Sequence, residues 1–228
     1  MDYQLILDSI PELLSGLIIT LELMICALIA GIIIAVPLAI TWVEGYKPIQ
    51  FIAHFYVTFF RGTPLLVQVF LIYYGLGQLE GIRDSILWPL FKHPFFCAVL
   101  ALSLNTSSYT ANIIRGAIKA VPHGEIEAGR AFGMNKVTLY STIILPQAFK
   151  LMLPAYSNEV IIILKATSLA STITIMDLTG VASDIVSNTY RPYEIFMTAA
   201  LFYIAITFIL TRIFRILEIK INRQIVEW

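Results

Sequence analysis

The segment that decides the fold is residues 17–41, LIITLELMICALIAGIIIAVPLAIT, in which Glu22 is the only charged residue. About 20 predominantly apolar residues cross the hydrocarbon core of a bilayer as a helix. The composition of the whole chain agrees, because 58% of its 228 residues are hydrophobic and only 13% are charged. A soluble domain carries about 25% charged residues. The sequence therefore predicts an integral membrane protein.

Four further apolar segments follow the first one, and they cover residues 55–79, 95–118, 151–170 and 195–217. No Lys or Arg precedes Lys47, whereas a secretory signal begins with positive charge, so residues 17–41 are expected to remain as a permanent span. The pattern predicts an all-α, polytopic membrane protein with about five transmembrane helices in a single domain, residues 1–228. Five spans place the two termini on opposite sides of the membrane.

The basic residues predict the orientation. If the N-terminus lies outside, the outer segments contain only Arg83, Lys92 and Arg191, and Lys165 lies within a span. All the other Lys and Arg residues, Arg61 among them, then belong to the inner segments. Cytoplasmic loops of membrane proteins are rich in Lys and Arg. We therefore expect a periplasmic N-terminus and a cytoplasmic C-terminus.

The longest polar interruption lies between the third and fourth spans, at about residues 119–146. Pro122 and Pro146 bracket it and limit helix continuation. Six residues within it recur at helical spacing and are predicted to share one face: Ile126, Gly129, Gly133, Val137, Tyr140 and Ile144. The pattern predicts one or two short amphipathic helices with a notch at Gly129 and Gly133. Such helices either dock another protein or lie on the lipid surface, and the pattern leaves both possibilities open.

Motifs for enzymatic chemistry are missing from the sequence. Residues 124–131, GEIEAGRA, approach a phosphate-binding loop, but Arg130 and Ala131 replace the lysine and the hydroxyl residue that the loop requires. The two cysteines and three histidines show no metal-ligand spacing, so we expect no metal site. The 15 basic and 15 acidic residues balance, and nothing in them indicates nucleic-acid binding. The chain is expected not to be an enzyme.

Polar residues inside predicted spans are costly and are therefore candidates for function. Glu159, Asn105, Tyr109 and Asp177 are the candidates for a substrate pathway, in that order. Structural roles remain open for three of them. Glu159 could pair with Lys165 or cap a neighbouring helix, Asn105 could bridge helices, and Asp177 could cap a helix.

The polar interruption at residues 119–146 contains a recognisable motif. Glu127-Ala128-Gly129-x-x-x-Gly133, nine further residues and then Ile143-Ile-Leu145-Pro146 resemble the EAA signature of importer-type ABC transporter permeases. Because that signature implies coupling to an ATPase, we call residues 119–146 the coupling segment. The family more often has Ala at the position of Gly129. Three other stretches are similar to the polar amino-acid branch of that family, and they are RGTPLLVQ at 61–68, RGAIKAVPHG at 115–124 and LPAYSNE at 153–159. The resemblance extends from about residue 15 to the end, and its finer likeness is to histidine/lysine/arginine/ornithine and opine importers.

This resemblance implies the type I ABC importer permease fold in a bacterial inner membrane. Two permease subunits, identical or homologous, would form the pathway within the membrane lipid. A cytoplasmic ABC ATPase dimer would bind ATP and Mg, with no cofactor on this chain, and a periplasmic amino-acid-binding protein would deliver the substrate. The residues that the resemblance assigns to ATPase coupling are Glu127, Ala128, Gly129, Gly133, Ile143, Leu145 and Pro146.

The expected function is therefore ATP-driven import of amino acids, with basic ones such as histidine, lysine, arginine and ornithine as substrates. A secondary transporter or channel subunit that works without an ATPase is the main alternative. An assembly subunit of a larger membrane enzyme complex is a second alternative.

Overall fold

The structure is a computed structural model that describes residues 2–222, and it confirms the prediction of an all-α chain. The helices in chain order are α1 (Tyr3–Glu44), α2 (Lys47–Gly62), α3 (Leu65–Phe70), α4 (Glu80–Arg83), α5 (Trp88–Phe91), α6 (Pro94–Lys119), α7 (His123–Ala131), α8 (Lys136–Leu139), α9 (Leu145–Ala166), α10 (Leu178–Thr189) and α11 (Pro192–Asn222). A π-helical turn, Leu71–Gly75, extends α3, and a second one, Tyr140–Ile144, joins α8 to α9.

Among the described residues, length and composition qualify α1 and α11 as single membrane-spanning helices. Two bent pairs pass the same test together. They are α2 with residues 65–78, bent by 103°, and residues 136–173 with α10, bent by 48°. Counting each pair as one span gives up to four spans. The third predicted segment corresponds to α6, which is not in that set and carries a polar run at residues 103–110. The predicted five membrane spans are therefore reached only if α6 is counted in addition to these four.

The helices begin earlier than the predicted spans. The first apolar segment was predicted to begin at residue 17, but α1 begins at Tyr3, where the Asp2 carboxylate accepts a hydrogen bond of 3.2 Å from the Leu5 backbone N–H. This N-cap satisfies an orphan donor of the first helical turn, so the helix starts well before its apolar run. The second segment was predicted to begin at residue 55, but α2 begins at Lys47. Its end at Gly62 lies two residues before Pro64, which disfavours continued helix in the residue preceding it.

The centre of the bundle is α6, which packs against α1, α2 and α9. Small residues of α1 allow close approach, since Ala27, Ala35 and Ala39 are fully buried. Gly31 lies against Thr106 of α6, where even a Cβ atom would come within 2.5 Å of the Thr106 methyl carbon. Small residues at such contacts are typical of helix packing in membranes. This packing places the polar run of α6 in the interior of the bundle.

Candidate functional site

The candidate site is a group of polar side chains about halfway along α6, which we call the polar belt. Its members are Arg61, Gln68, Asn105, Thr106, Tyr109 and Glu159. The carboxylate of Glu159, on α9, is only 3% exposed and accepts a hydrogen bond of 2.8 Å from Thr106 Oγ1. Lys165, the pairing partner that the sequence left open, is exposed and makes no ion pair within the described part of the chain. Glu159 is therefore attached to α6 by a single neutral hydroxyl.

Asn105 forms hydrogen bonds that connect α6 to the break between α2 and α3. Its Nδ2 donates to the Phe60 carbonyl and to Gln68 Oε1, both at 3.1 Å. Gln68 Nε2 donates in turn to the Phe60 carbonyl at 2.9 Å and to the Thr63 hydroxyl at 2.7 Å. These carbonyl and hydroxyl groups lie at the break between α2 and α3. In a membrane interior such groups must be satisfied by the protein itself. The geometry thus gives Asn105 the helix-bridging role, and Gln68 is a member of the site that the sequence analysis missed.

Arg61 lies at the far end of α2 and contacts Tyr109. The guanidinium carbon is 5.0 Å from the centroid of the half-buried Tyr109 ring. The 16 residues of α2 rise about 24 Å from Lys47. The Arg61 side chain is exposed and lies beside α6, at the end of α2 opposite to Lys47.

Asp177 is separate from the polar belt. It is completely buried and caps α10, since its carboxylate accepts hydrogen bonds from the Gly180 N–H at 3.1 Å and the Thr179 N–H at 3.3 Å. The Leu178 N–H donates to the Thr20 hydroxyl of α1 at 3.0 Å. The capping alternative is the one that this geometry supports, because both carboxylate oxygens of Asp177 already accept bonds from the helix N-terminus.

The coupling segment forms two short helices rather than one continuous face. Gly133 lies in the turn between α7 and α8 with φ of +75°. This left-handed conformation favours glycine, so Gly133 serves the turn. Gly129 is buried against its own chain, where a Cβ would lie 2.6 Å from Leu139 Cδ1 and 2.9 Å from Ile143 Cδ1. At Gly129 the predicted notch therefore receives side chains of the coupling segment itself, from α8 and the turn after it.

The outer side of the coupling segment is the accessible one. Glu127 and Ala128 are exposed on α7, and Pro146 is exposed at the start of α9, whereas Ile143 and Leu145 are half-buried. Two apolar side chains beside the Gly133 turn face outward. Phe132 is 86% exposed and Val137 is 78% exposed. Sequence reasoning missed Phe132 because it lies off the predicted helical face.

Polar contacts attach the coupling segment to the rest of the bundle. Glu44, the last residue of α1, forms an ion pair of 2.7 Å with Lys136 and accepts a hydrogen bond of 2.6 Å from the Tyr140 hydroxyl. Gln147 of α9 donates a hydrogen bond to the carboxylate of Glu125 on α7. These contacts join α7 and α8 to the ends of α1 and α9, so a displacement of the coupling segment must also move those helix ends.

Comparison with known proteins then gives the family. Residues 27–223 match the family of binding-protein-dependent transport system inner membrane components. The chain belongs to this family. The permease is 48% identical to the octopine transport system permease protein of Rhizobium meliloti over 92% of its own length and 86% of that protein. It is 46% identical to the histidine/lysine/arginine/ornithine transport system permease protein of Salmonella typhimurium over 88% of its own length and 86% of that protein.

Solved structures confirm the predicted fold of the permease. An amino acid ABC transporter crystallised with histidines matches with a TM-score of 0.83 and 35% identity, and the match covers 96% of this chain and 99% of the other. An inward-facing form of the methionine transporter MetNI matches with a TM-score of 0.80 over 94% and 98% of the two chains. Its 14% identity supports the fold alone. The chain is a permease subunit of the ABC importer type, as the EAA resemblance implied.

Proposed function

We propose that this permease carries amino acids with a cationic side chain into the cytoplasm, and that Glu159 compensates the positive charge on the way. The observation that supports this is the buried carboxylate itself. Glu159 is 3% exposed and has only the Thr106 hydroxyl as hydrogen-bond partner among the described residues. A carboxylate inside a membrane is costly unless a cation meets it. The amino acids in the name of the histidine/lysine/arginine/ornithine transport relative have the matching chemistry.

The driving force comes from a separate ATPase dimer in this proposal, with ATP and Mg bound there. The outer side of the coupling segment supports it, since Phe132 and Val137 are large, exposed and apolar beside the exposed Glu127. Exposed apolar patches with polar neighbours are typical of protein interaction sites. The coupling segment then lies in the cytoplasm and the N-terminus in the periplasm, an orientation that the excess of Lys and Arg in the inner segments favours.

The remaining partners follow from the same arrangement. Arg61 is exposed and Tyr109 is half-buried, so this end of the polar belt is open to a neighbouring chain. A second permease subunit, identical or homologous, completes the pathway there. A periplasmic amino-acid-binding protein delivers the substrate to it. Asn105 holds the bend between α2 and α3, and Asp177 holds α10 against α1, so both shape the pathway without contacting the solute.

The test is substitution of Glu159 by Gln in the complete transporter, reconstituted in liposomes with its ATPase and binding protein. A hydrogen bond to a charged group contributes about 1.5–3 kcal/mol, or roughly 10- to 150-fold in affinity. We expect arginine uptake to fall by at least about tenfold at low arginine concentration, while uptake of a neutral amino acid that the complex also carries falls much less.

Glu194 supplies the matched control, because it is also a buried carboxylate, 8% exposed, but lies on α11 away from the polar belt. Glu194→Gln is expected to leave the ratio of arginine to neutral uptake unchanged. An equal loss for both solutes in Glu159→Gln would give Glu159 a structural role. Uptake at the full rate in liposomes that lack the ATPase would favour the secondary-transporter alternative instead.

A further inference from the structure

A second group of charged side chains lies beside the polar belt, towards the end of α6. It lines a cavity of about 440 Å³ between the end of α1, α2 and α6. We call it the arginine pocket, and its polar and aromatic members are Trp42, His54, Arg61, Tyr109, Asn112 and Arg115. The residues that line it include two arginines and no carboxylate.

Among residues 2–222, Arg115 contacts an aromatic ring and has no polar partner. Its guanidinium carbon lies 4.1 Å from the centroid of the Trp42 ring, which is itself 9% exposed. Its Nε is buried and has no hydrogen-bond partner within residues 2–222. Stacking on an aromatic face fixes the plane of a guanidinium and leaves its N–H edge available. A buried donor that lacks an acceptor is unfavourable, so this edge is suited to an anion that enters the pocket.

Arg61 repeats this arrangement at the other end of the pocket, where it stacks on Tyr109 at 5.0 Å. Tyr109 and Arg115 are six residues apart on α6, a rise of about 9 Å. Glu159 is hydrogen-bonded to Thr106, three residues before Tyr109 on α6. One carboxylate and two guanidinium groups thus follow one another from the polar belt towards the C-terminal end of α6. Arg61 is exposed and Arg115 is half-buried, so a solute can reach both side chains. Charged side chains within membrane segments usually face the bundle interior or a water-filled cavity.

We propose that the arginine pocket binds the carboxylate of the translocated amino acid, with Arg115 as the main donor and Arg61 between it and Glu159. This inference rests on the proposed function, because Glu159 must meet the cationic end of the same solute. Arginine side chains bind carboxylates through two parallel hydrogen bonds. The permease therefore favours solutes charged at both ends, a cation and at least one carboxylate, and the pocket receives the carboxylate on the cytoplasmic side of the polar belt.

The experiment measures equilibrium binding of L-arginine and of L-argininamide, which lacks the carboxylate, to the purified permease–ATPase complex in detergent. ATP and the binding protein are omitted, so that neither supplies the selectivity. We expect the complex to bind arginine at least about tenfold more tightly than argininamide. Arg115→Gln is expected to remove this preference while the argininamide affinity stays the same, and Arg115→Lys is expected to retain part of it.

Arg83→Gln is the matched control, since Arg83 also stacks on a tryptophan, Trp88 at 5.8 Å, but outside the pocket. It should leave the preference unchanged. The inference is overturned if Arg115→Gln lowers the affinities for arginine and argininamide equally. That result would be expected if Arg115 formed an ion pair with a partner chain. It is also overturned if the preference persists while bound anionic phospholipid is lost, which would assign the pocket to a lipid phosphate.

The same assay keeps the two proposals apart. Glu159→Gln should lower the affinities for arginine and for argininamide by the same factor, because both ligands have the guanidinium group. If Glu159→Gln leaves both affinities unchanged, the proposed role of Glu159 fails, whatever Arg115→Gln does. If only the Arg115 result fails, the carboxylate assignment is wrong and the cation site stands.

Discussion

Gly31 of α1 controls the position of the hydroxyl that binds Glu159, and this makes Gly31→Ala an informative variant. A Cβ at Gly31 would lie 2.5 Å from the Thr106 methyl carbon, whereas its next neighbours, the Ser103 carbonyl and the Ser107 N–H, are at an ordinary 3.6 Å. Favourable carbon–carbon contacts begin near 3.5 Å, so the methyl must retreat by about 1 Å. Because a β-branched side chain carries both groups on one stiff Cβ, the Thr106 hydroxyl moves with it.

The expected size of the effect follows from that displacement. The distance from the Thr106 hydroxyl to the Glu159 carboxylate is now 2.8 Å. A shift of the hydroxyl by about 1 Å would lengthen this distance beyond the normal hydrogen-bonding range. Overpacking costs about 1–3 kcal/mol, and the better helix propensity of Ala returns about 1 kcal/mol, so the complex should still assemble. The effect on transport should exceed this net effect on stability, because losing a hydrogen bond to a charged group costs about 1.5–3 kcal/mol. We expect arginine uptake at low concentration to fall by roughly tenfold or more.

The assay compares Gly31→Ala, Thr106→Ser and the double variant in liposomes. Serine keeps the hydroxyl and lacks the methyl, so the double variant should recover most of the uptake and Thr106→Ser alone should behave almost like the original protein. The reasoning is refuted if the double variant transports as poorly as Gly31→Ala. It is refuted equally if Gly31→Ala transports arginine at the full rate.

Two further variants test the assignments at the ends of the bundle. Removing the α10 cap with Asp177→Ala should lower the free energy of unfolding by about 1 kcal/mol, seen as a lower Tm of the purified complex, whereas Asp177→Asn keeps a good cap. A selective loss of cationic uptake with an unchanged Tm would instead put Asp177 in the pathway. Phe132→Ser should reduce the amount of ATPase that co-purifies with the permease, while Ile86→Ser, at a 93% exposed apolar position between α4 and α5, should not. Equal ATPase yields from both would exclude Phe132 from the interface.

The sequence predicted the helical class and the position of the coupling segment because both depend on local patterns. An apolar run such as residues 17–41 determines its own preference for lipid. The partner of Glu159 was not predictable in this way, since Thr106 lies 53 residues away in the chain and meets it only through packing of α6 on α9. Lys165 is close to Glu159 in the sequence and was considered as its partner, but the two residues point in different directions on α9 and Lys165 is exposed.

Other differences between the prediction and the structure could have been found from neighbouring residues in the sequence, which counting charged and apolar residues does not take into account. Arg61 was counted with the inner segments on charge alone, although Gly62 and Pro64 after it indicate the end of a helix. Gln68 is one polar residue within an apolar run, a pattern that indicates a buried partner. Gly129 and Gly133 looked equivalent in the sequence, but one admits neighbouring side chains and the other adopts a positive φ. Spacing alone cannot separate these two uses of glycine.

The distribution of apolar character along the chain has a consequence for biogenesis. The two helices that qualify as spans on their own, α1 and α11, stand at the beginning and the end of the described chain. Between them, α6 is outside the set of candidate spans and carries the polar run at residues 103–110. Its polar groups must be satisfied by the protein once they are in the bilayer. The hydroxyl of Thr106 on α6 meets its partner Glu159 only on α9, so α6 cannot be fully paired before α9 has been synthesised.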